Sequence, residues 1–128
     1  MPLPLSRILY VEDEPDIRAI VKMALEAVGG FTVLSCASGP EALIAAPDAR
    51  ADLLLLDVMM PGMDGPATLK ELRGIPATCN TPVIFMTAKV QSAEIARYLA
   101  LGALEVISKP FDPMELSAQI QRIWDMER

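Results

Sequence analysis

The sequence predicts an α/β protein, in which a doubly wound parallel sheet of five strands carries helices on both faces. Short apolar segments alternate with amphipathic helical segments from one end of the chain to the other. The third apolar segment contains four consecutive leucines, Leu53–Leu56, and such an unbroken run is typical of a strand covered on both faces. Strands that alternate with helices favour parallel pairing, because each helix then forms the crossover between two parallel strands.

The predicted strands are short and bounded by turn residues. They cover Leu5–Val11, Phe31–Cys36, Asp52–Asp57, Pro82–Thr87 and Leu104–Ile107. In folds of this class, ligands bind beyond the carboxyl ends of the parallel strands. The residues at and just after each strand end are therefore the candidate functional residues.

The first two helices are predicted from capping residues and apolar spacing. The first begins at Pro15, a residue suited to a first helical turn, and ends at Gly29-Gly30. The second follows Ser38, with which Glu41 completes a capping box, and Pro47 is expected to stop it. The apolar residues of the first helix recur at steps of three and four; they are Ile17, Ile20, Val21, Ala24, Leu25 and Val28.

The other three helices are predicted over Pro66–Arg73, over Gln91–Leu101 and from the cap Asp112 to the end of the chain. The last of these is expected to be anchored to the core by Trp124 together with its isoleucine neighbours. Two further acidic residues are interpreted as structural. Asp52 lies at the entrance of the third strand, and Asp64 is expected to cap a loop or helix.

Composition excludes several classes of function. The chain has 128 residues and a hydrophobic fraction of 52%, which suits one domain with one core. It contains no histidine, which removes serine–histidine triads, histidine bases and most zinc sites. Its net charge of −6 disfavours direct nucleic-acid binding, because the phosphate backbone is also negative.

No apolar run approaches the roughly 18–20 residues that a membrane helix needs. The N-terminal residues also lack the order of a signal peptide. We therefore expect no membrane partner and a cytoplasmic location. The two cysteines, Cys36 and Cys79, have no metal-ligand spacing and are predicted to be reduced thiols.

Charged and hydroxyl side chains follow four of the predicted strands. Glu12 and Asp13 follow the first strand, Asp57 ends the third, Thr87 ends the fourth, and Lys109 follows the fifth. The predicted topology brings these ends to one edge of the sheet. Taken singly, each residue could instead be a solvated strand-end or helix-entry residue, and Thr87 an ordinary strand residue; together they indicate a site.

Neighbouring carboxylates raise one another's pKa unless a cation joins them. Oxygen ligands of this kind favour Mg²⁺, which binds one or two protein carboxylates with water and phosphate oxygens. Zinc and copper fit poorly without histidine or paired cysteines. A carboxylate beside Mg²⁺ can attack a phosphoryl group and form an aspartyl phosphate. Lys109 and Thr87 would then contact the phosphoryl oxygens.

Four segments resemble motifs of response-regulator receiver domains, the CheY-like superfamily of two-component signalling. Each is weak alone, but they occur in the family's order and at its separations: Val11–Pro15, Leu56–Gly65, Met86–Ala88 and Ser108–Phe111. The resemblance covers about residues 5 to 126. It implies a flavodoxin-like (βα)5 fold with strand order 2-1-3-4-5, and a stand-alone receiver that forms a single domain over residues 1–128.

The resemblance also implies a role for each site residue. Asp57 would accept a phosphoryl group from a phosphohistidine on a histidine kinase or a histidine phosphotransfer protein. Glu12, Asp13, Asp57 and the backbone carbonyl of Met59 would bind Mg²⁺. Thr87 and Lys109 would contact the phosphoryl group, and the peptide bond after the lysine would be cis.

By this resemblance the chain is a signalling phosphoacceptor and not an enzyme with an outside substrate. Its phosphorylated state would alter binding to a target protein that the sequence does not identify. The alternative is a receiver-like interaction module that works without phosphorylation. A third hypothesis, an aspartate-nucleophile phosphatase, fits less well, because Asp57-Val58-Met59 is not the Asp-x-Asp that such enzymes require.

One position departs from the family pattern. Many receivers carry an aromatic residue three positions before the lysine, where this chain has Val106, so the usual output coupling is in doubt. The expected output face is formed by the fourth helix, fifth strand and fifth helix. Its candidate exposed residues are Gln91, Glu94, Arg97 and Tyr98.

Overall fold

Strands and helices alternate along the whole of residues 4–127, which the computed structural model describes. The strands are β1 Arg7–Val11, β2 Thr32–Cys36, β3 Leu53–Asp57, β4 Val83–Thr87 and β5 Glu105–Ser108. The helices are α1 Pro15–Ala27, α2 Gly39–Ala49, α3 Gly65–Leu72, α4 Ser92–Ala100 and α5 Pro113–Glu127. Every predicted element is present, with boundaries that differ by at most three residues.

The five strands form one parallel sheet in the order β2-β1-β3-β4-β5. This is the flavodoxin-like order that the resemblance implies, so the fold prediction is confirmed. The central strand is β3, in which Leu53–Leu56 are fully buried. Burial of each leucine side chain contributes about 1.5–3 kcal/mol, and both faces of β3 are therefore committed to the core.

Each face of the sheet packs against its own hydrophobic cluster. On one face, α1 contributes Val21 and Leu25, and α5 contributes Leu116, Ile120 and Trp124. The other face is covered by α2, α3 and α4, through residues that include Ala42, Ala46, Leu69, Leu72 and Tyr98. The predicted anchoring of the last helix by Trp124 is confirmed, since this side chain is 3% exposed.

The predicted helix caps are present. The Ser38 hydroxyl accepts a hydrogen bond from the Glu41 amide at 3.2 Å, and Asp64 Oδ1 accepts one from the Ala67 amide at 2.8 Å. Both bonds satisfy amides that have no partner within the first helical turn. After α1 the chain turns at Gly30, whose φ of 73° is readily adopted by glycine.

The prediction that Pro47 stops α2 is wrong. The helix continues through Pro47 and ends at Ala49, and Arg50 then adopts a left-handed conformation with a φ of 52°. A proline removes one helical hydrogen bond but leaves the following residues free to pack. Ala49 is buried, and its carbonyl accepts a hydrogen bond from Arg7 Nε at 3.1 Å. This tertiary contact holds the last turn.

The prediction that Tyr98 is exposed is also wrong. Its side chain is 1% exposed and packs 5.5 Å from Phe85, measured between ring centroids. Gln91 and Arg97 are exposed as predicted, whereas Glu94 is half-buried. A polar tip on an aromatic ring allows either environment. Tyr98 and Phe85 belong to the same hydrophobic cluster, against which Val106 also packs.

The apolar face of α1 is wider than the core that it covers. Ile20 and Val28 were predicted to face the core, but they are 45% and 48% exposed.

No helix within residues 4–127 is long and apolar enough to cross a membrane. Cys36 and Cys79 are both free thiols, as predicted.

Candidate functional site

Three carboxylates meet at the carboxyl edge of the sheet. Glu12 and Asp13 directly follow β1, and Asp57 is the last residue of β3. Because β1 and β3 are neighbours paired in parallel register, their ends bring these side chains together. One oxygen from each carboxylate lies within 4.8 Å of the other two. The three form the acid cluster.

Lys109 reaches the acid cluster from the end of β5. Its Nζ donates a hydrogen bond to Glu12 Oε1 at 2.9 Å and forms an ion pair with Asp57 Oδ1 at 2.6 Å. The Lys109 amide also donates to the Thr87 carbonyl at 2.9 Å, which continues the pairing of β5 with β4. The peptide bond between Lys109 and Pro110 is cis, as the resemblance implies.

The acid cluster is electrostatically unbalanced. Glu12 and Asp57 are 0% and 2% exposed, and one ammonium group serves both. Burial is the largest cause that raises the pKa of each carboxyl, and their mutual repulsion raises the pKa of Glu12 further. Burial alone would lower the pKa of Lys109, but its contacts with Asp57 and Glu12 outweigh that effect and raise it. A further cation would relieve this imbalance.

Thr87 lies at the end of β4 and is 1% exposed. Its hydroxyl accepts a hydrogen bond from the Lys89 amide at 3.0 Å. Among the hydrogen bonds within residues 4–127, this one ties Thr87 to the β4–α4 loop and none ties it to the acid cluster. The structure therefore places Thr87 on the predicted edge, although not in contact with the carboxylates.

The loop after β3 is held close to the site. The Val58 amide donates to the Met86 carbonyl at 2.9 Å, and the Gly65 amide donates to the Val58 carbonyl at 2.9 Å. A Cβ atom at Gly65 would lie 2.5 Å from the Asp57 carbonyl oxygen, so only glycine allows this approach of α3. The side chain of Met59 is exposed, and its carbonyl as a metal ligand stays a prediction.

Sequence reasoning missed Arg18. This residue lies one turn into α1, and its Nη1 donates to the Glu12 carbonyl at 2.8 Å and to the Asp13 carbonyl at 3.4 Å. Arg18 thereby fixes the backbone of the two residues that contribute carboxylates from β1. A signal was present in the sequence, because Arg18 is a basic residue five to six positions after the acidic pair that follows β1. A side chain at this distance, in the first turns of α1, can reach back to the loop before the helix.

Sequence reasoning also missed Tyr10. Its side chain is 0% exposed on β1, and its hydroxyl has no hydrogen-bond partner among the described residues. Burial is the largest cause that raises the pKa of Tyr10, and the negative charges of Glu12 and Asp57 raise it further. No sequence signal indicates this, because a tyrosine within an apolar strand reads as an ordinary core residue.

Comparison with known proteins identifies the family. Residues 8–121 match the family model of the response regulator receiver domain. The chain belongs to this family. It is 43% identical over 119 residues to the transcriptional regulatory protein CpxR of Klebsiella pneumoniae, a match that covers 93% of this chain and 49% of CpxR. The chain thus spans about half the length of the curated relatives that it matches.

Solved structures agree with this family assignment. The chemotaxis protein CheY4 of Vibrio cholerae superposes with a TM-score of 0.85 at 32% identity, covering 94% of this chain and 99% of CheY4. The receiver domain of the sensor histidine kinase PA1611 from Pseudomonas aeruginosa superposes with a TM-score of 0.80 at 29% identity, covering 95% and 99%. That structure has a magnesium ion coordinated in its active-site cleft.

Proposed function

We propose that this receiver domain is a Mg²⁺-dependent phosphoacceptor in which Asp57 carries the phosphoryl group. The observation that supports this most strongly is the arrangement of Lys109, whose ammonium contacts Asp57 and Glu12 at once, the two buried members of a cluster of three carboxylates. A solely structural ion pair needs one carboxylate per cation. The surplus negative charge suits a site that takes up a second cation together with an anionic ligand.

The proposed reaction is a phosphoryl transfer to a carboxylate oxygen of Asp57. A new oxygen–phosphorus bond forms as the phosphorus–nitrogen bond of a partner's phosphohistidine breaks. The electron pair of the broken bond remains on the imidazole nitrogen of the partner, which takes up a proton from water. The chain itself contains no histidine, and the proposed donor is a histidine kinase or a histidine phosphotransfer protein.

The residues present fit a magnesium ion. Glu12, Asp13 and Asp57 offer only oxygen donors, within 4.8 Å of one another, at an edge where burial leaves negative charge uncompensated. These side chains, together with the Met59 carbonyl, would hold the ion. When bound, Mg²⁺ supplies positive charge that draws phosphoryl oxygens to the site and offsets their charge during transfer.

Two further residues would contact the transferred group. The ammonium of Lys109 lies 2.6 Å from Asp57 Oδ1 in the unphosphorylated protein. It is therefore placed to contact a phosphoryl oxygen once Asp57 carries the phosphoryl group. Thr87 would move its hydroxyl towards the same group, breaking the hydrogen bond from the Lys89 amide. The phosphorylated state would then present a changed surface to a target protein. On this proposal the chain is a signalling component and not an enzyme with an outside substrate.

Intact mass spectrometry tests this function. The protein is treated with acetyl phosphate and, separately, with phosphoramidate, whose phosphorus–nitrogen bond matches that of phosphohistidine, each with and without Mg²⁺. We expect a mass gain of one phosphoryl group that requires Mg²⁺ and that is lost in Asp57→Asn. Asp52→Asn is the matched control, since it changes the aspartate at the other end of β3 and should keep the gain.

A gain that survives in Asp57→Asn would contradict the assignment of the acceptor. A gain that is independent of Mg²⁺ would contradict the metal site. Failure with both small donors and with phosphorylated histidine phosphotransfer proteins would overturn the proposal and favour an interaction module that works without phosphorylation. That the chain forms a single stand-alone domain in the cytoplasm also stays a prediction.

A further inference from the structure

The loop between β1 and α1, residues 12 to 14, carries two of the three carboxylates of the acid cluster and has few ties to the sheet. The Glu12 amide donates to the Cys36 carbonyl at 3.0 Å and so extends the pairing of β1 with β2. Beyond this bond, no backbone amide within residues 4–127 donates to the carbonyl oxygen of Glu12 or of Asp13. Backbone carbonyls of a folded chain need a partner, so this loop depends on a side chain for its order.

The start of α1 does not supply that order. Its N-cap residue, Glu14, makes no side-chain capping hydrogen bond, whereas Ser38 and Asp64 cap α2 and α3. The Glu14 amide donates instead to Glu12 Oε2, at the long distance of 3.3 Å. This bond uses an oxygen of the acid cluster itself, and it therefore cannot hold the loop independently of the site.

Arg18 holds the loop through carbonyl oxygens. Its Nη1 donates to the Glu12 carbonyl at 2.8 Å and, at a longer 3.4 Å, to the Asp13 carbonyl. Arginine commonly pairs with carboxylates, and two are carried by these same residues. Among the ion pairs within residues 4–127, however, none includes Arg18. The guanidinium thus orders the residues that carry the carboxylates without occupying a carboxylate oxygen.

We propose that Arg18 is a positioning residue for the Mg²⁺ site, whose bonds to the two loop carbonyls set the backbone from which Glu12 and Asp13 reach the ion. The proposal rests on the function proposed above. Groups that orient metal ligands without binding the metal commonly contribute about ten- to hundredfold to metal affinity. Because Arg18 binds carbonyl oxygens, it leaves the carboxylate oxygens available to Mg²⁺.

The direction of the effect distinguishes positioning from charge. Like charges repel, so removal of a positive charge near the acid cluster should by electrostatics alone tighten the binding of Mg²⁺. Loss of the bonds to the loop should weaken it, because the carboxylates would then have to be ordered when the ion binds. Weaker Mg²⁺ binding in the absence of Arg18 is therefore opposite to the effect of its charge.

A titration with Mg²⁺, followed by NMR of the backbone amides in the unphosphorylated protein, measures this affinity without any reaction. We expect Arg18→Met, which keeps an apolar stem, to raise the Kd for Mg²⁺ about tenfold. Arg18→Lys keeps the charge and a shorter donor, and its Kd should lie about two- to fivefold above that of the wild type. A Kd in Arg18→Met that equals or falls below the wild-type value would overturn the proposal.

Lys22→Met is the matched control. Lys22 lies one turn further along α1, is half-buried as Arg18 is, and makes no side-chain hydrogen bond or ion pair within residues 4–127. Its substitution removes the same charge from the same helix, and the Kd for Mg²⁺ should stay within about twofold of the wild-type value. An equal rise of the Kd in Lys22→Met and Arg18→Met would show an effect of the helix as a whole and reject the proposal.

The rate of phosphorylation separates positioning from a general loss of structure. Phosphorylation by acetyl phosphate is followed by intact mass over a range of Mg²⁺ concentrations. In Arg18→Met, the Mg²⁺ concentration that gives half of the maximal rate should rise about tenfold, and the maximal rate should stay within about twofold of that of the wild type. At saturating Mg²⁺ the carboxylates are held by their contacts with the ion. A tenfold loss of the maximal rate itself would contradict a role in metal binding.

The two proposals fail in different ways. If no amide around the acid cluster of the wild type responds to Mg²⁺, the metal site of the proposed function fails, and the role of Arg18 fails with it. If the wild type binds Mg²⁺ and is phosphorylated, but Arg18→Met binds Mg²⁺ as tightly, only the role of Arg18 fails.

Discussion

Two aspartates at opposite ends of β3 have opposite surroundings. Asp52, just before the strand, is half-buried, and its Oδ2 accepts hydrogen bonds from the amides of Ser6 and Arg7 at 3.0 and 2.8 Å. Asp57, the last residue of the strand, is 2% exposed and shares the ammonium of Lys109 with a second buried carboxylate. The first charge is satisfied by backbone donors, whereas the second is left partly uncompensated.

The difference shows how one residue type serves two purposes on a single strand. Asp52 ties the chain that enters β1 to the amino edge of the sheet, and this is a contribution to stability. Burial raises the pKa of Asp57, as does the charge of Asp13, and the ion pair with Lys109 does not fully offset these effects. Without a further cation, the ionised form of Asp57 is therefore expected to lower the stability of the folded state. A carboxylate whose ionised form is disfavoured by its surroundings is typical of a functional site, and Asp57 is such a residue at the carboxyl edge of the sheet.

The largest expected effect distinguishes the two aspartates directly. Asp57→Asn should abolish the Mg²⁺-dependent phosphoryl gain and, without Mg²⁺ at neutral pH, raise the free energy of unfolding by about 1–2 kcal/mol, since one carboxylate per ammonium remains. Phosphorylation is followed by intact mass and stability by urea unfolding. A less stable Asp57→Asn variant would show that Asp57 is a structural ion-pair partner like any other.

Glycine substitutions extend the comparison to the two ends of α3. Gly65→Ala at the carboxyl edge should lower the free energy of unfolding by about 1–3 kcal/mol, because the new Cβ would lie 2.5 Å from the Asp57 carbonyl oxygen. Gly74→Ala is the control at the other end, where the nearest atom would lie 3.4 Å away. Thermal melting of both variants checks this, and equal losses would show that the carboxyl edge is not specially crowded.

The pH dependence sharpens the electrostatic part of the comparison. The pKa values of Asp57 and Glu12 are raised above their ordinary values of 3.8 and 4.5, so the folded state holds these protons more tightly than the unfolded chain. Stability from this pair therefore falls as the pH rises through that range and above it. The gain in stability of Asp57→Asn over the wild type should be larger at pH 7.5 than at pH 4.5.

Mg²⁺ should reduce that difference at pH 7.5, because it binds the folded wild type and offsets the repulsion within the acid cluster. Urea unfolding of both proteins at the two pH values, with and without Mg²⁺, measures the effect. A difference that is constant with pH and insensitive to Mg²⁺ would remove the electrostatic explanation.

The smallest effect is expected at the amino edge. Asp52→Ala should lower the free energy of unfolding by about 1 kcal/mol, because water replaces the lost acceptor for two exposed amides. The phosphoryl gain should be unchanged. Loss of phosphorylation in a folded Asp52→Ala variant would show that the two ends of β3 are coupled.

Much of the site could be predicted from sequence because it depends on strand ends. Glu12, Asp57, Thr87 and Lys109 each lie at or beside the end of a strand, and parallel pairing brings such ends to one edge. Tyr10 could not be found in this way. Its complete burial depends on which way the side chain points and on what packs over it, and local spacing encodes neither.

The errors have the same origin. Pro47 was predicted to stop α2, but the buried Ala49 and its hydrogen bond from Arg7 hold one further turn. Tyr98 was predicted to be exposed, but it packs against Phe85 in the core. In both cases a contact between residues distant in sequence outweighs a local preference.

The sequence by itself determined the alternation of strands and helices, the burial of β3 on both faces, and the acidic and basic residues at the strand ends. These follow from hydrophobic periodicity and local capping, which act over a few residues. Only the tertiary structure decided which charges share a partner, and that one ammonium serves two buried carboxylates. Charge compensation and desolvation depend on distances between groups that chain folding alone brings together.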